Sequence, residues 1–208
     1  MNSIIRACLR GGDPQSPATR RRCGAISGAV GIVLNTLLAL SKLLAGLLTA
    51  SVAMTADGLN NLSDAATSVV TLIGFRLAGQ EADAEHPFGH GRMEYVAGLI
   101  VSMAILLMGI EVGRSALTAL FHREEAAFSP LAAAILCAAI LVKLWMFWFN
   151  RALGRQIGSA ALEATAADSL SDTLSTGVVL ASTLAGHFLD LQIDGLAGLL
   201  VAAFILKT

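Results

Sequence analysis

The sequence has little of the charge that a soluble protein displays at its surface. Only 14% of its 208 residues are charged and 5% are aromatic, whereas 55% are hydrophobic and the formal net charge is −1. A soluble domain is about 25% charged. Disorder is excluded because a disordered chain combines low hydrophobicity with high charge, and the near-zero net charge excludes the basic surface that nucleic acid requires. The composition therefore predicts an integral membrane protein whose surroundings are the lipid bilayer.

Cysteine is also scarce. The three cysteines, Cys8, Cys23 and Cys137, are too few and too widely spaced for a disulfide framework or a cysteine-based zinc site. Cys137 lies within an apolar run, so we expect it to be a small residue of the hydrophobic core.

Long apolar runs make up most of the chain. Residues 1–24 are polar and contain five arginines, and we expect them to form a cytoplasmic N-terminal segment. Six apolar runs follow and predict helices at about 25–49, 52–78, 95–120, 129–149, 160–186 and 194–208. The first run is far longer than the ~7–15 apolar residues of a signal peptide. The predicted fold class is therefore an all-α membrane protein, a six-transmembrane-helix bundle that spans residues 25–208.

The basic residues predict how the bundle is oriented. If the N-terminus is cytoplasmic, ten of the 14 Lys and Arg residues fall on the cytoplasmic side: Arg6, Arg10, Arg20, Arg21, Arg22, Arg76, Arg92, Arg151, Arg155 and Lys207. The opposite side then holds Arg114 and Arg123. Because cytoplasmic loops are enriched in Lys and Arg, we expect cytoplasmic N- and C-termini.

Two of the predicted helices contain matching polar stripes. The second has Asp57, Asn60, Asn61 and Asp64 at positions i, i+3, i+4 and i+7. The fifth repeats that spacing with Asp168, Ser171, Asp172 and Ser175. In an α-helix this spacing places the side chains on one face, so each helix presents an acidic stripe at membrane depth.

Carboxylates at this depth must be stabilised by a partner, since insertion of an Asp at the centre of a spanning helix costs about 2.5–3.5 kcal/mol. The lysines within the runs, Lys42 and Lys143, can neutralise two carboxylates at most, and the sequence leaves their partners open. We predict that the carboxylates converge on a divalent cation, which protons replace when the ion leaves. A structural role in hydrogen bonds between helices is preferred for Asn35, Ser63, Thr67, Ser171 and Ser175.

The ligand atoms indicate the kind of ion. Asn60 with Asp64, and Asp168 with Asp172, are i, i+4 pairs, so two facing helices would supply four oxygen ligands. Zinc prefers nitrogen and sulfur, whereas oxygen sets suit harder ions such as Mn²⁺ or Mg²⁺. Manganese is therefore the favoured ion. Asp57, toward the outer end of its helix, is predicted to be a secondary ligand.

The connection between the second and third helices concentrates polar residues. Asp83, His86 and His90 could hold a second ion on the cytoplasmic face, or they could simply form a solvated acidic loop. The residues alone leave both interpretations open. The segment Pro87-Phe-Gly89 predicts a turn.

Three motifs together resemble the cation diffusion facilitator family, in the order in which that family has them. They are Asp57-Gly-Leu-Asn-Asn-Leu-Ser-Asp64, His86-Pro-Phe-Gly-His-Gly-Arg-Met-Glu-Tyr95 and Asp168-Ser-Leu-Ser-Asp172. The resemblance covers residues 22–206 and implies an exporter that exchanges cytoplasmic divalent metal for external protons. It implies a transport site at Asn60, Asp64, Asp168 and Asp172, and an accessory cytoplasmic site at Asp83, His86 and His90.

The resemblance also implies a cargo, an assembly and a membrane. The Asn-Asp-Asp-Asp combination is similar to the manganese-exporting branch, with Fe²⁺, Zn²⁺ or Cd²⁺ as other ions and with no bound cofactor. Members usually continue into a C-terminal ferredoxin-like domain, and because the sequence ends at Thr208 we expect that domain to be missing. A homodimer is therefore expected to form through the membrane helices, in a bacterial inner membrane.

Two alternatives remain from the residues. An intramembrane aspartyl protease also needs two membrane Asp residues, but it opposes one on each of two helices, and its Gly-x-Gly-Asp signature is absent here. A non-transporting partner subunit, or a fragment of a longer transporter, would share all the motifs. A secondary transporter rather than an enzyme is the favoured prediction.

Overall fold

The computed structural model describes residues 8, 13–49, 52–81, 86–121, 129–189 and 194–207. Within these ranges the regular structure is helical and contains no strand, which confirms the all-α prediction. Six helices have both ends in the described ranges: α1 (Pro17–Thr49), α2 (Val52–Ala78), α3 (Met93–Phe121), α4 (Pro130–Ile157), α5 (Ala160–Leu189) and α6 (Asp194–Lys207).

Two helices extend by two turns or more beyond the apolar runs that predicted them. α1 begins at Pro17 rather than near residue 25, and Arg20 in its first turn forms an ion pair with Glu94. α4 continues to Ile157 rather than ending near residue 149, and it stops where Gly158 adopts a left-handed conformation. Hydropathy therefore marks the apolar part of each helix, whereas the caps and polar partners mark its ends.

The helices form a bundle with extensive pairwise contacts. α1 packs on α2, α4 on α5 and α3 on α6, while α2 and α5 also contact α3. At one end of the bundle, Phe75, Phe149 and Leu153 form a buried apolar cluster that also encloses Cys8 and Cys23. Cys137 is exposed, so its expected place in the core is wrong. An apolar run does not show which of its faces points outward, and Cys137 lies on an outward face of α4.

Apolar residues cover the outside of the bundle and polar residues fill part of the inside. Leu47, Leu48 and Leu200 are 74–79% exposed, while Lys42 and Asn61 are each 1% exposed. Within the described ranges, three helices are long and apolar enough to cross a membrane by length and composition, over Pro17–Leu48, Met93–Thr118 and Pro130–Ile157. The polar interior suits a bundle that is surrounded by lipid, where polar groups must find partners within the protein.

Candidate metal site

Three of the predicted acidic ligands lie together inside the bundle. Asp64 comes from α2, and Asp168 and Asp172 come from consecutive turns of α5. All three are buried, and one carboxylate oxygen of each lies within 4.8 Å of the others. The i, i+4 spacing on α5 explains why its two acids share a face, and the packing of the bundle brings Asp64 to them. These three residues are called the acid cluster below.

Asn60 lies at the edge of the acid cluster, one turn before Asp64. Its amide nitrogen lies 3.5 Å from the Asp172 Oδ1 atom, to which it donates a hydrogen bond. The structure thus brings all four residues of the predicted transport site together. Asn60 also links the polar face of α2 to that of α5.

Lys143 of α4 also reaches the acid cluster, although the sequence left its partner open. Its ammonium nitrogen lies 2.7 Å from the Asp64 Oδ2 atom and donates a hydrogen bond to the Asp172 Oδ2 atom. Lys143 is only 3% exposed. A single charged residue inside an otherwise apolar span is costly and is expected to have a functional partner. The position of Lys143 as the one charged residue within an apolar run was therefore the sequence signal that it would pair with an acid.

The formal charges of this site do not cancel when all of its acids are ionised. Lys143 pairs with Asp64 and Asp172, whereas Asp168 makes no hydrogen bond or ion pair with any residue in the described ranges. With all three acids ionised, the cluster and Lys143 together have a net charge of about −2, since each ionised carboxyl contributes one negative charge. A buried site of this charge is complementary to one divalent cation.

The separation of the carboxylates also fits a single ion. Oxygen ligands on opposite sides of Mg²⁺ or Ca²⁺, with metal–oxygen distances of ~2.0–2.6 Å, lie about 4.0–5.2 Å apart. One carboxylate oxygen from each residue of the acid cluster lies within 4.8 Å of the other two. They could therefore surround one divalent ion with only small movements, and the ligands would all be oxygen atoms.

Asp57 lies apart from the acid cluster. It precedes Asp64 by two helical turns, about 10.5 Å along α2, and its Oδ2 atom lies 2.8 Å from the Lys42 ammonium nitrogen. Lys42 belongs to α1 and is buried. The structure therefore pairs the predicted secondary ligand with a lysine and does not bring it to the three acids.

Polar side chains elsewhere in the interior join neighbouring helices. Hydrogen bonds between helices in the described part of the chain include those of Asn35 to Ser68, Ser27 to Asn150, and Thr71 with Thr165. The structural role expected for Asn35 agrees with its bond to Ser68. Ser63 and Thr67 instead donate to carbonyl oxygens of their own helix, at Leu59 and Asp64.

The predicted accessory site is described in part. Asp83 lies outside the described residues. The rings of His86 and His90 have centroids 4.4 Å apart, and His86 is exposed beside the turn that holds Gly89 at a positive φ of 76°. Two of the three predicted accessory residues thus lie side by side near the start of α3.

The chain is similar to known membrane transport proteins. The cation efflux transmembrane domain family matches residues 29–208. The manganese efflux system protein MneS of Bacillus subtilis is 34% identical over 183 residues, which cover 88% of this chain and 63% of that protein. An uncharacterized transporter of Methanocaldococcus jannaschii is 32% identical over 176 residues, which cover 85% of this chain and 62% of that protein.

A relative with lower identity is a mitochondrial protein by its name. Mitochondrial metal transporter 2 of Saccharomyces cerevisiae is 29% identical over 204 residues, which cover 86% of this chain and 42% of that protein. The chain therefore spans less than two thirds of the length of each of these relatives.

Proposed function

The chain belongs to the cation efflux family, the cation diffusion facilitators, and we propose that it exports a divalent metal cation from the cytoplasm in exchange for protons. The acid cluster is the observation that carries this proposal. Three carboxylates from two helices lie within 4.8 Å of one another in the interior of the bundle. The proposed transport site is Asn60 with these three acids.

Proton exchange follows from the chemistry of the ligands. A carboxylate oxygen that binds a proton can no longer bind a metal ion as strongly, so the two cations compete. Asn60 does not titrate, so Asp64, Asp168 and Asp172 exchange the protons. In the proposed cycle the site takes up metal from the cytoplasm, the bundle then opens to the outside, and the lower external pH favours protonation of the acids and release of the ion.

Manganese is the proposed principal cargo, with Fe²⁺, Zn²⁺ and Cd²⁺ as competitors. The proposed ligands are oxygen atoms, which suit Mn²⁺ better than they suit Zn²⁺, and MneS, at 34% identity, is named for manganese efflux. His86 and His90, with Asp83, are proposed as an accessory site where ions bind before they enter the bundle.

The proposed setting is a bacterial inner membrane, with six spanning helices and with both termini in the cytoplasm. The excess of Lys and Arg residues on one side supports this orientation. We propose a homodimer that forms through the outer faces of the helices, where large apolar side chains are exposed.

Uptake into proteoliposomes with an imposed pH gradient tests the function directly. We expect Mn²⁺ uptake that collapses when the gradient is dissipated, and slower uptake of Zn²⁺ under the same conditions. If a folded protein takes up neither ion, the chain is a partner subunit or a piece of a longer transporter, and the proposal is wrong.

Removal of one proposed ligand tests the site. We expect Asp64→Ala or Asp172→Ala to lower Mn²⁺ uptake at least about 100-fold, since loss of a transition-metal ligand weakens both binding and coupling. Glu111→Ala is the matched control, because Glu111 is an acid whose side chain is 74% exposed on α3. Metal resistance that persists in cells with either Asp variant would refute this assignment.

A further inference from the structure

The intramembrane lysine beside the acid cluster has no role in the exchange described so far. We propose that Lys143 is a tethered counter-cation of the transport site: its ammonium group lies between Asp64 and Asp172 when no metal is bound, and the incoming ion must displace it. Lys143 would then be a residue that sets metal affinity. This inference rests on the proposed function, because it concerns how the same site binds its ion.

The contacts of Lys143 indicate that a metal ion would displace its ammonium group, rather than bind beside it. Its ammonium nitrogen lies 2.7 Å from the Asp64 Oδ2 atom and also bonds to the Asp172 Oδ2 atom. A divalent ion bound to the same two oxygens at ~2.0–2.6 Å would lie close to that nitrogen. Two cations in one position repel each other strongly inside a protein. The lysine has a flexible four-carbon stem, so its ammonium group can move while its backbone stays on α4.

The charge of the site explains how displacement of Lys143 would affect metal affinity. Three ionised acids with Lys143 nearby have a net charge of about −2, which one divalent ion neutralises. Without the lysine the same acids would hold that ion with an additional negative charge. The ion would bind more tightly and leave more slowly. Lys143 thus lowers the affinity for the ion to a level that permits release, and it offsets one of the three negative charges between transport cycles.

A structural role alone makes a different prediction. Loss of one partner from a buried ion pair destabilises a protein because the remaining charge is left unpaired. Both hypotheses therefore expect Lys143→Gln to be less stable without metal. The counter-cation role alone expects the variant to bind metal more tightly than the wild type does.

The first experiment measures Mn²⁺ binding to the purified full chain in detergent. We expect Lys143→Gln to lower the dissociation constant at least about tenfold, equivalent to about 1.4 kcal/mol, and to lower the maximal rate of Mn²⁺ uptake. Lys143→Arg keeps the charge, and its dissociation constant should stay within about threefold of the wild-type value. Unchanged or weaker Mn²⁺ binding by Lys143→Gln would overturn the inference.

Lys42 provides a matched control. It is as deeply buried as Lys143, at 1% and 3% exposed respectively, but its ammonium group pairs with Asp57 outside the acid cluster. Lys42→Gln should therefore leave the dissociation constant for Mn²⁺ within about threefold of the wild-type value. If Lys42→Gln tightens binding as much as Lys143→Gln does, a nonspecific effect of a lost buried lysine is responsible and the inference is wrong.

The second experiment needs no variant that lacks the lysine charge. The chain contains three lysines, Lys42, Lys143 and Lys207, so side-chain ¹⁵N labelling of lysine gives three amine signals, and Lys143→Arg identifies one of them. We expect diamagnetic Cd²⁺ to shift the Lys143 signal and to leave the Lys42 signal in place. A Lys143 signal that stays fixed while Cd²⁺ binds would overturn the inference.

Failure of the proposed transport function and failure of the counter-cation role give different results. If neither Mn²⁺ nor Cd²⁺ binds the wild-type protein, the proposed transport function itself fails. If these ions bind and Asp64→Ala abolishes the binding, but Lys143→Gln does not tighten it, the function stands and only the counter-cation role fails.

Discussion

At the scale of single residues, the ligand atom that Asn60 supplies is expected to influence which ion is carried. It is the one member of the proposed site without a carboxylate, and its amide nitrogen lies 3.5 Å from Asp172. A histidine at this position would replace an oxygen ligand with the nitrogen that Zn²⁺ prefers. We expect Asn60→His to raise the ratio of Zn²⁺ to Mn²⁺ uptake at least about tenfold in proteoliposomes that are supplied with both ions.

Asn60→Gln is the control for that substitution. It keeps the amide oxygen and changes only the reach of the side chain, so the preference for Mn²⁺ should persist even if the rate falls. An equal ratio of the two ions in Asn60→His and in the wild type would show that the fourth ligand does not determine selectivity.

The spacing of the acids could be predicted from the sequence, but the partners of the lysines could not. Asp168 and Asp172 share a face because the helical period requires it, and the matching stripe on α2 indicated that Asp64 would face them. Lys143 lies on a third helix, and the sequence does not fix the rotation of α4 about its axis. The same holds for Lys42, which pairs with Asp57, the residue that the sequence suggested as a metal ligand.

At the scale of helices, close approach of α1 and α2 depends on glycine. A Cβ atom added to Gly28 would lie 2.7 Å from the Leu72 Cβ atom and 3.0 Å from its Cα atom. Backbone atoms cannot move aside cheaply, and small residues allow helices in membranes to pack closely. We expect Gly28→Ala to destabilise the protein by about 1–3 kcal/mol, as overpacking does, measured by thermal unfolding in detergent.

Gly177 on α5 is the matched control for Gly28. A Cβ atom there would meet nothing within 4 Å, so Gly177→Ala should be neutral or stabilising by up to about 1 kcal/mol, through helix propensity. If both substitutions lower the melting temperature equally, the contact between α1 and α2 is not the reason for the effect.

The ends of helices were less predictable than their existence. Apolar runs located α1 to α6, the helices with both ends in the described ranges, since each run is long enough for several turns. The end of α4 depends on Gly158, whose φ of 62° and ψ of 43° are left-handed and whose N–H donates to the Gly154 carbonyl oxygen. This cap lies after a polar stretch that follows the apolar run. The end predicted from hydropathy alone, near residue 149, was therefore too early.

At the scale of the whole molecule, one residue joins three helices at one end of the bundle. The Arg20 guanidinium group, near the start of α1, lies 2.7 Å from the Glu94 Oε1 atom at the start of α3. It also donates a hydrogen bond to the carbonyl oxygen of Ile157, at the end of α4. The start of α1, the start of α3 and the end of α4 therefore lie together, as expected if successive helices run in alternating directions.

This grouping makes the proposed orientation testable by cysteine labelling. Phe88, in the connection between α2 and α3, and Arg155, in the last turn of α4, belong to the end where Arg20 lies, and both side chains are exposed. Ala126 belongs to the connection between α3 and α4, which the positive-inside rule predicts to be external. With Cys8, Cys23 and Cys137 replaced by alanine, each site receives one cysteine: Phe88→Cys, Arg155→Cys or Ala126→Cys.

A membrane-impermeant maleimide, applied to intact cells, should label Ala126→Cys and leave the other two variants unlabelled. Labelling of Phe88→Cys and Arg155→Cys should require permeabilised cells, because the proposed orientation places both sites on the cytoplasmic side, together with the arginines near the N-terminus. The opposite pattern would mean that the bundle is inverted, and the exchange of cytoplasmic metal for external protons would then run in the wrong direction. Labelling of all three variants on one side would mean that α3 does not cross the membrane, since it alone separates Phe88 from Ala126.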